Sequence, residues 1–96
     1  MLAINNLFIL NKTPLSTLLE IATKVRKLRK QVGYSQAELA LRSGVSLGSI
    51  KRFERTGQIS FESLVKVAHL LDRLSDFDAV FENKELDKEI KNLFTH

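Results

Sequence analysis

The chain offers hydrogen bonding and charge rather than bond-making chemistry. Between Ser46 and Arg55 it sets two hydroxyls, Ser46 and Ser49, among three cations, Lys51, Arg52 and Arg55. Hydroxyl and guanidinium groups of this kind offer hydrogen bonds and positive charge to a polar or anionic partner. There is no cysteine, which excludes disulfides and thiolate metal sites. Only two histidines occur, His69 and His96, so a zinc centre is not expected. Carboxylates are plentiful but form no evident constellation. No phosphate-binding loop, Gly-x-Ser-x-Gly, His-Glu-x-x-His or dinucleotide fingerprint occurs. The expectation is a protein that binds, without catalysis and without a cofactor.

The charge is divided along the chain. Residues 1–60 hold ten Lys/Arg against three acids (Glu20, Glu38, Glu54), a balance of +7. Residues 61–96 hold five Lys/Arg against eight acids, a balance of −3. A basic half fits a polyanion, and an acidic half must face elsewhere. With 96 residues, 44% of them hydrophobic and 27% charged, the chain suits one globular core. The longest purely apolar stretch, Leu7-Phe8-Ile9-Leu10, is far short of the roughly 20 residues of a membrane span. No basic segment precedes the first apolar residues, so no secretory signal is read and a cytoplasmic location is expected.

Helical periodicity dominates the elements that must carry these side chains. Thr13-Pro14 makes an N-cap followed by a first-turn proline. Leu18, Ala22, Val25, Leu28 and Val32 then form an apolar stripe, with Lys24, Arg26, Lys27 and Lys30 on the remaining surface, and Gly33 stops the helix. Ser35-Gln36-Ala37-Glu38 is a capping box with Tyr34 and Leu39 at its staple positions. It predicts a short helix over Gln36–Ser43, turned by Gly44. Ser46 caps the next helix, with Ile50 and Phe53 inward and Thr56-Gly57 at its end. Ser60 caps a fourth, with the stripe Phe61, Leu64, Val67, Ala68 and Leu71. A short fifth helix is predicted over 74–81, and Leu86, Ile90, Leu93 and Phe94 repeat at helical spacing beyond it. Residues 1–12 are too apolar for a free tail and read as a strand or arm. The expected architecture is all-α: an arm at 1–12, a five-helix domain at 13–82 and a helical extension at 83–96.

A capped helix, a glycine turn and a second capped helix are the layout of a helix-turn-helix. In that motif the N-terminal part of the second helix meets base edges in the major groove. Here those positions are Ser46, Leu47, Gly48 and Ser49, with Arg52 one turn further on. Arg52 suits bidentate pairing with guanine O6 and N7, which discriminates by about 1–3 kcal/mol. Leu47 can offer only apolar contact. Gly48 costs on the order of 1 kcal/mol inside a helix; it marks either a close approach of DNA or a tolerated glycine. Lys51 and Arg55 are candidate phosphate contacts.

Ser35-Gln36-Ala37-Glu38-Leu39-Ala40, Ser43-Gly44-Val45-Ser46, Ile50, Glu54 and Gly57 resemble the phage repressor and Cro family, also called Xre. The resemblance covers roughly residues 17–82 and implies a five-helix, lambda-repressor-like domain that binds double-stranded DNA. It implies that Gln36, at the N-terminus of its helix, hydrogen-bonds a phosphate. It also implies that Arg29 pairs with Glu54, leaving part of the guanidinium for phosphate. Two features depart from the pattern: the family often has a polar residue where Leu47 and Gly48 stand, and residues 1–12 lie outside its minimal domain.

The family resemblance makes a dimeric transcriptional repressor the first functional expectation. Phe8, Ile9, Phe81, Leu86, Ile90 and Phe94 are the candidate dimer or partner surface. The stretch from Ser60 to Asp78 is similar to antitoxins paired with HipA-type kinase toxins, so a HipB-like antitoxin that represses its own promoter is the alternative. A protein-binding scaffold without DNA is a third reading, which Arg52 and the basic first half oppose.

Overall fold

Capping and glycine punctuation set the helix boundaries. The computed structural model describes residues 12–95, and Phe8 and Ile9 lie outside them. Five α-helices follow in order: α1 Pro14–Gln31, α2 Gln36–Ser43, α3 Leu47–Thr56, α4 Phe61–Leu70 and α5 Lys84–Thr95. A 3-10 turn at Leu74–Phe77 stands between α4 and α5. Thr13, Ser35, Ser46 and Ser60 each accept a backbone N–H from three residues on. These bonds satisfy donors that a helix start leaves without partners.

The core lies where α2, α3 and α4 meet. Leu39, Ala40, Val45, Ile50 and Val67 form one buried cluster, with Val25, Tyr34, Leu70 and Leu71 packed against it. Ala22 of α1 and Phe53 of α3 are buried as well. Gly57 ties the end of α3 to α1. Its φ of +80° is a left-handed conformation, and a Cβ there would come within 2.7 Å of Leu18 Cβ. Only glycine meets both demands.

Three expectations need correction. The helix predicted over 74–81 is only the four-residue 3-10 turn. Asp72 and Phe81 have φ of +58° and +53°, and Arg73 gives no side-chain cap, so too little chain remains to repay helix nucleation. Phe61 falls on the α4 stripe but is 67% exposed, touching Phe77 edge-on at 5.7 Å. Val32 caps α1 rather than lying within it, and is exposed.

The C-terminal third is packed differently. α5 is capped by Asn83, whose Oδ1 accepts from the Leu86 N–H at 3.1 Å. None of its side chains described is buried. The radius of gyration is 16.1 Å, against about 12–13 Å for a compact chain of this length. Between α1 and α4 runs an apolar groove of about 320 Å³, lined by Ile21, Val25, Leu28, Leu64, Ala68 and Leu71 among others, with Phe77 and Val80 also on its wall.

Candidate nucleic-acid interface

Ile50 and Phe53 face the core, so helical geometry sends Gly48, Arg52 and Arg55 outward as one ridge. Lys51 and Arg55 are exposed and pair with no acid among the described residues. Leu47 is partly covered, and Gly48 lies on open surface, where a Cβ would meet nothing within 4 Å. Packing among the described residues therefore gives no reason for a glycine at 48.

The two serines share their hydrogen bonds. Ser46 Oγ accepts from the Ser49 N–H at 3.1 Å and donates to Ser49 Oγ at 2.7 Å. The Ser46 proton is thus used in the cap, while the Ser49 hydroxyl keeps its own proton for an acceptor outside. Arg52 Nη2 donates to Gln58 Oε1. Gln58 had no sequence signal beyond its place just after Gly57.

Behind the ridge, one carboxylate gathers α1, α2 and α3. Arg29 Nε and Nη2 donate to the two oxygens of Glu54 at 2.7 and 3.0 Å. Gln36 Nε2 donates to Glu54 Oε1 at 3.0 Å. Arg26 Nε stands 3.8 Å from the same oxygen. Arg29 Nη1 also donates to the Tyr34 carbonyl, tying in the loop between α1 and α2. The Arg29 and Glu54 side chains are only 9% and 5% exposed. Burial pushes the Glu54 carboxyl up, but hydrogen bonds from Arg29 and Gln36, with the charges of Arg29 and Arg26, outweigh it and hold the group below its ordinary value. No buried side-chain polar atom among the described residues lacks a hydrogen-bond partner.

Arg29 and Glu54 form the pair that the family resemblance implies. The phosphate contact expected of the same guanidinium is corrected, because the side chain is 9% exposed and Nε, Nη1 and Nη2 all donate within the chain. Gln36 differs in emphasis, because its amide already donates inward to Glu54. Sequence periodicity puts Arg26 on the surface of α1, and the structure adds it to the Glu54 cluster, one turn from Arg29 on the same face. The electrostatic result is direct. Glu54 is the only acid of α3, and it is buried and neutralised, so the outward ridge presents cations alone. Asp72, Asp76, Asp78, Glu82 and Glu85 are all exposed in the C-terminal third. Phe81, Leu86, Ile90 and Phe94 are exposed too, at 97, 49, 42 and 85%. No group of three or more metal-ligating side chains occurs among the described residues, and no helix there is long and apolar enough to cross a membrane.

A family profile described as helix-turn-helix (HTH_3) matches residues 25–76, the segment from mid-α1 into the 3-10 turn. The chain belongs to the Xre family of helix-turn-helix regulators. The HTH-type transcriptional regulator SinR of Bacillus licheniformis is 34% identical over 80 residues, covering 76% of this chain and 72% of that protein. No solved structure matches significantly. Membership makes the chain a DNA-binding regulator of transcription, and α2 and α3 are the two helices of its motif.

Proposed function

We propose that the protein is a repressor that binds a palindromic operator as a dimer. One observation carries the reading: α3 is locked from behind by buried Glu54 while its outward ridge holds Arg52 and Arg55 with no uncovered acid. Arg52 and Ser49 read base edges, Leu47 adds apolar contact, and Gly48 lets the duplex come close. Ser46 holds the start of the helix. Lys51 and Arg55 grip phosphates, and the N-terminus of α2 at Gln36 adds a third phosphate contact. Two copies are needed to place two recognition helices one DNA turn apart, roughly 34 Å. The exposed row Leu86, Ile90 and Phe94, with Phe81, is the proposed dimer surface.

Binding to the DNA upstream of the protein's own gene, against a scrambled duplex at several salt concentrations, tests this. The expected preference is about a thousandfold or more, with protected half-sites about one turn apart. Equal and steeply salt-dependent binding to both duplexes would refute it.

The exposed apolar and acidic α5 supports a second reading. An antitoxin would use that face to hold a HipA-type kinase toxin while α3 represses the shared promoter. A stable complex with a kinase-like protein encoded beside this gene, lost when Leu86 and Ile90 are changed to Asp, is the result that would establish it.

A further inference from the structure

We propose that Gln58 is a positioning residue that sets the base preference of Arg52. The inference rests on the base-reading role given to Arg52 above and names a residue that this role requires. Three hydrogen bonds close a ring at the end of α3. Arg52 Nη2 donates to Gln58 Oε1. The Gln58 backbone N–H donates to Thr56 Oγ1 at 3.1 Å. The Thr56 hydroxyl in turn donates to the Arg52 carbonyl at 2.7 Å. Each member holds the next, so the guanidinium is referenced to the helix backbone rather than to solvent.

The turn makes this return possible. Gly57, left-handed and seated against Leu18 of α1, ends α3 and brings Gln58 back beside Arg52, six residues before it. The position of Gln58 is therefore fixed by the same contact that fixes the end of α3. Without the ring Arg52 has somewhere else to go. A polar recess of about 370 Å³ opens beside it, lined by Ser49, Arg52, Gln58, Ile59, Ser60 and Ser63.

Chemistry favours glutamine here. A guanidinium has five N–H donors, and one bond to Gln58 leaves a bidentate edge for guanine. The amide is neutral, so it aims the cation without cancelling the charge that attracts DNA. Holding the side chain before binding removes part of the ordering cost that a free arginine meets on the duplex.

The test is the relative affinity of the full chain for operators carrying each of the four bases at the position that Arg52 reads. Wild type, Arg52→Ala, Gln58→Ala and Gln58→Glu are compared, with a random duplex as reference and thermal melts as the folding control. Arg52→Ala is expected to abolish the guanine preference. Gln58→Ala should reduce that preference about two- to tenfold, with random-duplex affinity and melting unchanged. Gln58→Glu keeps an acceptor for Arg52, so it should retain the preference while weakening binding to every duplex. If Arg52→Ala abolishes the preference and Gln58→Ala leaves it intact, the positioning role is overturned and the base-reading role stands. If Arg52→Ala leaves the preference unchanged, the base-reading role fails and the positioning role falls with it. Equal losses for all sequences in Gln58→Ala would make Gln58 a backbone contact, which also overturns the proposal.

Discussion

Two regions of this chain solve opposite problems. Around α3, three helices converge on a carboxylate 5% exposed, no buried side-chain polar atom among the described residues lacks a partner, and Gly57 seats the helix end against α1. From Asp72 onward every described side chain except Phe77 is exposed, including the apolar row Leu86, Ile90, Leu93 and Phe94 of α5. The first arrangement holds a surface in one orientation, which base reading demands because a bidentate pair tolerates little error. The second leaves surface uncovered, which suits contact with another molecule. Rigidity and availability are separated along the sequence, as charge is.

The sharpest way to break the comparison is at Glu54. Glu54→Ala leaves Arg29 buried without its acid, keeping only the Tyr34 carbonyl. A loss of about 3 kcal/mol is expected, at the low end for a broken buried pair. That is a large share of the stability of so small a domain. Denaturant melts measure it directly. A loss under about 1 kcal/mol would place the pair with ordinary surface bridges and remove the contrast between the two regions.

Acid sharpens the same point. Glu54 has a folded pKa below its ordinary value of 4.5, so the folded state holds fewer protons than the unfolded state in that interval. Its contribution is complete above the ordinary value and disappears as pH falls through the folded one. Glu54→Gln has no carboxyl to titrate at this site. The stability gap between wild type and Glu54→Gln should therefore be widest near neutrality and close steadily below about pH 4.5. A gap that stays constant down to pH 2 would show that the carboxylate charge contributes nothing there.

A smaller effect is expected on the outer ridge. Gly48→Ala meets no neighbouring atom within 4 Å, and alanine is the better helix former by about 1 kcal/mol. The variant should melt higher yet bind its operator more weakly, because the added methyl occupies the space the duplex enters. Higher melting with unchanged affinity would make Gly48 a tolerated glycine.

Much of the fold was legible because its signals are local. Ser35 through Glu38, Gly44, Ser46, Gly57 and Ser60 mark caps and turns within a few residues, and the structure sets α2 and α4 within a residue of where they point. The Arg29–Glu54 pair spans 25 positions and came from family resemblance, not from periodicity. Arg26, the inward turn of Gln36 and the return of Gln58 to Arg52 were not legible, because each depends on how helices pack around one buried charge or one glycine contact. The stripe position of Phe61 failed for a related reason. Periodicity shows which face is apolar, but a domain this small runs out of surface to cover it.

The smallest expected change in stability comes from α5, and it tests the other half of the comparison. Ile90 sits mid-row between Leu86 and Leu93 and is 42% exposed. An aspartate there puts a charge into the exposed apolar row of α5. Ile90→Asp should shift folding stability by no more than about 0.5 kcal/mol, as for other surface changes. Yet light scattering should show a lower mass, and operator affinity should fall because each half-site then binds a separate copy. If melting drops by several degrees and mass is unchanged, α5 packs on its own domain in solution. The two regions would then form one structural unit rather than two with different tasks.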